Sequence, residues 1–149
     1  MSNKVTLEQL LPTIDEILQN GGTATFTPNG ISMRPMLESG RDTVTLKKAQ
    51  KPLKKYDLPL YRNQNGKFVL HRVIGKNGDG YITRGDNRLE KEFGITNEMI
   101  IGKVVLFTRK GKEYSVNNIF YRIYCLLRNN DFTVFLRKIK LKIKNIIKK

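Results

Sequence analysis

Residues 67–83 decide the fold, and their sequence is Lys-Phe-Val-Leu-His-Arg-Val-Ile-Gly-Lys-Asn-Gly-Asp-Gly-Tyr-Ile-Thr. The apolar and β-branched side chains at the start predict one strand over residues 67–74, which contains the single histidine, His71. The run Asn-Gly-Asp-Gly that follows is a strong hairpin signal, because these residues tolerate the positive φ angles of tight turns. A returning strand is predicted over residues 81–83. The chain is therefore expected to be built around an antiparallel hairpin.

Short strands separated by turns extend this pattern in both directions. Further strands are predicted over residues 23–27, 42–46, 58–62, 99–108 and 113–115. Before them, residues 6–19 carry leucine and isoleucine at helical spacing, with Thr6 as the cap. Pro12 is costly inside a helix and favours a start close to that residue. The predicted fold class is a small, mainly antiparallel β domain with a short N-terminal helix.

From residue 117 the hydrophobic period changes to that of a helix. The pattern fits a helix capped by Asn117 or Asn118, an interruption at Asn129-Asn130, and a second apolar stripe that continues to residue 147. Residues 139–144 also alternate as a strand would, but the stripe on both sides of them favours helix. Three segments result: an amphipathic helix over 1–22, a β domain over 23–115 and a basic amphipathic helical tail over 116–149.

The charge is large and unevenly distributed. The formal net charge is +15, and residues 115–149 hold nine Lys and Arg against one acid. Such an excess indicates an anionic partner. A basic amphipathic helix over residues 132–149 can lie on an anionic membrane surface, although a tail packed loosely on its own domain is the alternative. No signal peptide and no transmembrane run are visible, so the expected location is the cytoplasm, free or on the inner membrane face.

The sequence excludes two common site chemistries. A single cysteine allows neither an internal disulfide nor a cysteine-based zinc site. Cys125 lies in an apolar helical run, which is typical of a buried structural thiol. No motif for a cofactor or a metal is present, and we expect neither.

One serine, one histidine and one aspartate are candidates for catalysis. Ser32 lies in a turn between Gly30 and Pro35, which would present its hydroxyl as a nucleophile if a base is near, although such a serine taken alone is more often the cap of a helical turn. His71 has the only side-chain pKa near neutrality and could be that base, or a half-buried strand histidine. Asp86, in an Arg-Gly-Asp-Asn turn, could orient the imidazole, or it could serve only to form the turn, where this residue type is common.

Together these contexts resemble the type I signal peptidase clan, which also contains the self-cleaving repressors. The resembling blocks occur in family order within about residues 23–108, at 30–37, 40–44, 57–62, 69–74, 84–87 and 101–105. The resemblance implies a coiled, mostly antiparallel β fold and peptide-bond cleavage by acyl transfer. It assigns Ser32 as the nucleophile, His71 as the base and Asp86 as its support. Many bacterial members have a lysine where this chain has His71. In carrying histidine there, the chain resembles the branch of endoplasmic-reticulum, archaeal and sporulation-type signal peptidases.

The resemblance also implies a pocket around the nucleophile. The backbone N–H of Ser32 would be one oxyanion donor. Some members carry a second donor hydroxyl two residues earlier, where this chain has Gly30. Met33 is expected either as a wall of this pocket or as a core methionine, and Pro35 is expected at the same pocket.

Members of this branch usually carry a transmembrane anchor, and none is visible in this sequence. The expected activity is therefore that of a serine endopeptidase that cleaves a leader or precursor peptide. One alternative is a non-catalytic basic β module that binds an anionic membrane or nucleic acid, although no aromatic RNA-binding strand motif is found. The other is a self-cleaving repressor-like protein, for which residues 1–22 offer no DNA-binding domain.

Overall fold

The elements below are those of a computed structural model, which describes residues 6–148. In chain order they are α1 (Leu7–Gln19), β1 (Thr23–Phe26), β2 (Val44–Lys47), β3 (Pro59–Arg62), β4 (Phe68–Leu70), β5 (Arg72–Asn77), β6 (Gly80–Arg84), β7 (Glu92–Ile95), β8 (Ile100–Arg109), β9 (Lys112–Ser115), α2 (Ile119–Asn129) and α3 (Asp131–Ile147). A 3₁₀ turn, Asn97–Met99, precedes β8.

The strands form two open antiparallel sheets, which confirms the predicted mainly β fold with its N-terminal helix and its C-terminal helices. The larger sheet has the strand order β1-β2-β8-β3-β4, and β9 also pairs with β8. The smaller sheet has the order β5-β6-β7 and contains the predicted hairpin, whose turn includes Gly78 at a φ of +57°.

The strand predicted over residues 67–74 is in fact two strands, and His71 lies between them. Leu70 ends β4 and pairs with Leu60 of β3 in the larger sheet. Arg72 begins β5 and pairs with Arg84 of β6 in the smaller sheet. The apolar alternation continues through this crossing, so the sequence looks like a single strand. His71 is consequently placed at the junction of the two sheets.

Two apolar clusters stabilise the sheets. The larger packs α1 and α2 against the larger sheet and includes Leu18, Val44, Leu46, Leu60 and Val104. The smaller packs the second sheet and includes Leu53, Tyr61, Val73, Tyr81 and Ile95. Close packing of α1 requires glycine in β8, because a Cβ at Gly102 would lie 2.8 Å from Leu18 Cδ1 and 2.9 Å from the Lys47 carbonyl oxygen.

The N-terminal helix differs from the prediction at its start. Thr6 caps α1 in a capping box with Gln9, as the sequence suggested for Thr6, but the helix begins at Leu7 and runs through Pro12. The amide that proline lacks would have bonded to the carbonyl of Glu8, and this residue is exposed to solvent. Pro12 therefore does not mark the start of the helix.

The C-terminal segment is helical throughout its described part, including residues 139–144. Asn118 caps α2 by accepting hydrogen bonds from the backbone N–H groups of Phe120 and Tyr121. Asn130 caps α3 in the same way through Thr133, and so separates the two helices. Within residues 6–148, no helix has the length and apolar character needed to cross a bilayer.

Candidate active site

Ser32 lies in a tight turn between β1 and β2, over residues 31–37, which we call the serine turn. The N–H of Arg34 donates to the Ile31 carbonyl at 3.2 Å, and the N–H of Leu37 donates to the Met33 carbonyl at 3.0 Å. Met33 and Leu37 are buried in the larger apolar cluster and anchor the turn. Ser32 is half-buried beside them, so its hydroxyl is held on a rigid support. Met33 also faces the cavity described below, and is thus both a core residue and a pocket wall.

The turn that follows β6 is tied to the serine turn. The backbone N–H of Asn87 donates to the Ser32 carbonyl at 2.8 Å, and its side-chain amide donates to the Ile31 carbonyl at 3.1 Å. A Cβ on Gly85 would lie 2.6 Å from the Ser32 carbonyl oxygen and 3.0 Å from His71 Nε2. Only glycine fits there, because any side chain would push the serine turn and the imidazole apart.

Ser32 and His71 line one cavity of about 280 Å³. Its walls include two apolar residues of the serine turn, the whole of β4, and the polar residues Ser39, Lys67, Arg88 and Glu92. Gly30 also lines this cavity. The prediction for Pro35 is wrong, since this ring lines a different groove between α2 and α3. The turn bends there, so that Met33 faces inward and Pro35 faces outward.

Glu92 is the carboxylate that faces the imidazole. Its Oε1 lies 3.3 Å from His71 Nδ1, although the contact is not aligned as a hydrogen bond and Nδ1 has no other partner within residues 6–148. Its Oε2 accepts a hydrogen bond from the Tyr61 hydroxyl at 2.7 Å. That hydroxyl also lies 2.8 Å from Thr83 Oγ1. Because Thr83 and Glu92 are paired across β6 and β7, the second sheet positions this carboxylate.

Burial sets the protonation state of His71. The residue is 8% exposed, and its burial lowers the pKa below the usual 6.5, against the opposing effect of Glu92. The neighbouring Arg88 also lowers this pKa. His71 is therefore neutral at pH 7, and a neutral imidazole can accept a proton.

Asp86 does not contact His71, contrary to the prediction that it orients the imidazole. Its two carboxylate oxygens accept hydrogen bonds from Nε and Nη2 of Arg72, each at 2.8 Å. The Tyr124 hydroxyl donates to it at 2.9 Å and the Asn129 amide at 3.4 Å. His71 and Arg72 are adjacent on an extended chain and point to opposite sides, so the arginine takes the carboxylate.

This aspartate belongs to a buried ion pair. Asp86 and Arg72 are both fully buried. Burial by itself would raise the pKa of Asp86, but the Arg72 guanidinium and the other donors outweigh it and hold this pKa below its usual value. Tyr121 and Cys125 of α2 also lie at 2.7 Å and 3.0 Å from Arg72 Nη1. Cys125 is thus buried, as predicted, and the pair joins α2 to the turn behind the serine.

Two polar groups of the cavity were not predicted. The sequence carries no signal for Glu92, because β7 is a short strand that the pattern leaves as a loop. Ser39 lies nine residues beyond Gly30, and its Oγ accepts a hydrogen bond from the Gly30 N–H at 3.2 Å. This contact uses the oxygen of the Ser39 hydroxyl and not its proton, so the proton remains available for another acceptor. Gly30 itself has no side chain that could donate a hydrogen bond.

Within the part of the chain that the structure describes, no group of three or more His, Cys, Asp or Glu side chains is placed to hold a metal ion. No known protein-family model matches this sequence, and none of the curated proteins matches it.

Proposed function

We propose that the protein is a serine endopeptidase of the signal peptidase type, which cleaves a leader or precursor peptide. The observation that carries this proposal is the cavity that Ser32 and His71 share. Gly85 packs against both residues, and Glu92 lies beside the imidazole of His71. The motif resemblance assigns the same serine and histidine. The acid differs from the one that the resemblance assigns, since Glu92 and not Asp86 faces the imidazole.

The proposed reaction is acyl transfer. Ser32 Oγ attacks the carbonyl carbon of the scissile peptide bond while His71 Nε2 accepts the hydroxyl proton. The C–N bond then breaks, and the imidazolium returns the proton to the leaving amine. Water attacks the resulting ester in the same way, with His71 again as the base, and releases the acyl product and Ser32. The Glu92 carboxylate stabilises the imidazolium in both steps.

Stabilisation of the oxyanion would come from the serine turn. The backbone N–H of Ser32, the proposed nucleophile, would be one donor, as the resemblance implies. The Ser39 hydroxyl is the candidate for the second donor, because it lines the cavity and its oxygen already accepts from the Gly30 N–H. Ser39 would then replace the side chain that Gly30 lacks.

The substrate is proposed to bind as an extended strand. Among the described strands, β4 pairs only with β3, so its other edge offers free backbone groups beside the cavity. All three residues of β4 line that cavity, immediately before His71. A peptide that pairs with this edge would bring a carbonyl to the serine, and the apolar walls would receive a small apolar side chain. We also propose that the protein acts in the cytoplasm, either free or at the inner membrane face.

The experiment that tests this function is digestion of a peptide library, with the new termini identified by mass spectrometry. We expect cleavage by the wild type and by Ser115→Ala, a matched control on β9, and none by Ser32→Ala. Equal cleavage by Ser32→Ala would show that the activity does not come from this site. No cleavage by any of the three would favour the non-catalytic basic module.

A further inference from the structure

The two C-terminal helices expose their apolar faces. In α2 the buried residues are Tyr121, Cys125 and Asn129, which recur every four residues and so share one face. The opposite face consists of exposed apolar side chains, namely Ile119, Phe120, Ile123, Leu126 and Leu127. A helix that belonged only to this domain would bury those side chains instead.

Helix α3 has the same inverted arrangement. Its buried residue is Val134, which faces the domain. The apolar stripe lies on the other side at i, i+3 and i+4 spacing and is exposed throughout: Phe132, Phe135, Leu136, Ile139, Ile143, Ile146 and Ile147. The two exposed faces meet at a groove lined by Phe120, Ile123, Leu127 and Leu136 and form one apolar surface, which marks an interaction site. We call this the α2–α3 surface.

Charge decides what covers the α2–α3 surface. Residues 115–149 hold nine Lys and Arg and one acid, so a second copy of the chain would bring two strongly basic segments together. A nucleic acid would neutralise that charge but would leave the apolar side chains in water. An anionic bilayer satisfies both, because its headgroups take the basic residues and its acyl boundary takes the apolar faces.

A groove within this surface has the polarity of a phospholipid. It has a volume of about 510 Å³, and apolar side chains of both helices line it together with Arg128 and Arg137. Arg128 Nε donates to the Asp86 carbonyl at 3.0 Å, and Arg137 Nη2 donates to the Arg88 carbonyl at 3.4 Å. Arg137 Nη1 is buried and has no partner within residues 6–148. A phosphate in the groove would pair with the charge of the two guanidinium groups.

We propose that the α2–α3 surface binds an anionic phospholipid bilayer, with Arg128 and Arg137 contacting the phosphate of one lipid in the groove. The helices lie in the plane of the interface and do not cross it. Pro35 of the serine turn borders the same groove, so binding would place the cavity of Ser32 close to the bilayer. This proposal does not depend on the peptidase assignment, because none of its contacts uses the nucleophile or the base.

The test is co-sedimentation of the full chain with vesicles of phosphatidylglycerol or of phosphatidylcholine. We expect binding to the anionic vesicles, weakened by salt, and little binding to the zwitterionic ones. Phe135→Glu places a charge on an exposed apolar position and should weaken binding roughly ten- to hundredfold. The matched control is Leu10→Glu, which introduces the same glutamate at an exposed leucine of α1 and should bind as the wild type does.

The groove is tested by Arg128→Gln combined with Arg137→Gln. Each lost charge near an anionic bilayer should weaken binding roughly fivefold. The control, Lys47→Gln with Lys48→Gln, removes the same charge outside the two helices, and circular dichroism checks that all variants fold.

Equal binding by Phe135→Glu and Leu10→Glu would overturn the proposal. So would a dimer in solution that Phe135→Glu dissociates, or duplex DNA binding that displaces the vesicles.

Discussion

Replacing Glu92 by glutamine tests which carboxylate supports His71. The change removes a negative charge 3.3 Å from His71 Nδ1 and preserves the size of the side chain. The glutamine carbonyl can still accept from the Tyr61 hydroxyl, so that contact persists as a neutral hydrogen bond. In the proposed reaction, however, the imidazolium that forms when Ser32 loses its proton is no longer stabilised by the charge of residue 92.

The size of the effect follows from the position of Glu92. General-base catalysis contributes roughly 10²–10⁴-fold to a rate. The Glu92 side chain is 34% exposed, so solvent screens its charge, and we expect a loss of about a hundredfold in kcat/KM, at the lower end of that range. The free energy of unfolding should fall by no more than about 1 kcal/mol, as for a single hydrogen bond near the surface.

The assay is the pH dependence of kcat/KM on a cleaved peptide. In the wild type the acid limb should lie below the usual histidine pKa of 6.5, because burial lowers the pKa of His71. Glu92 raises this pKa, so Glu92→Gln should move the limb to still lower pH. The control is Glu90→Gln, an exposed acid nearby, which should change neither rate nor limb. An unchanged limb in Glu92→Gln would refute the role of Glu92.

Three further variants test the surroundings of the site. Gly85→Ala places a Cβ 2.6 Å from the Ser32 carbonyl oxygen and should reduce kcat/KM by more than about tenfold, so a wild-type rate would contradict the packing. Asp86→Asn breaks a fully buried ion pair and should cost roughly 3–5 kcal/mol in urea denaturation, whereas lost activity at unchanged stability would make Asp86 catalytic. Because the pKa of Asp86 is lowered, its stabilisation is present above about pH 4 and is lost as the pH falls through the folded-state pKa. Ser39→Ala should reduce kcat roughly a hundredfold, and an unchanged kcat would exclude this hydroxyl as the second oxyanion donor.

Much of the fold could be predicted because its signals are local. The hairpin turn, the helix caps at Thr6 and Asn118 and the helical stripe of α3 each depend on residues that are close in sequence. The crossing at His71 could not be predicted, because β4 and β5 continue the same apolar alternation while they pair in different sheets. Pairing partners, unlike side-chain periodicity, are set by the rest of the molecule.

The site was predictable only in part for the same reason. Ser32 and His71 lie in recognisable local contexts, and the structure brings both to one cavity. Glu92 reaches His71 through the register of β6 against β7, which no local pattern encodes. The expectation for Asp86 was wrong because Arg72 follows His71 directly and takes the carboxylate on the other side of the strand. An arginine that directly follows the candidate base within an apolar strand was the signal that could have shown this.

The sequence showed that the C-terminal helices are amphipathic, but it did not show that the apolar faces of α2 and α3 are exposed. The sequence assigned the membrane contact to residues 132–149 alone. The proposed bilayer contact adds α2, since the buried face of this helix is the polar and aromatic one that contacts Arg72, and its apolar face is exposed. Periodicity shows that a helix is amphipathic, but it does not show which of its faces meets the domain.

The most direct test of the central claim is labelling with a fluorophosphonate, followed by mass-spectrometric mapping of the modified residue. The account predicts covalent modification of Ser32 in the wild type, at a rate that falls on acidification as His71 gains a proton. It predicts no labelling of Ser32→Ala and at least about hundredfold slower labelling of His71→Gln. Modification at another serine, or equal rates in the wild type and His71→Gln, would contradict a nucleophile at Ser32 activated by His71.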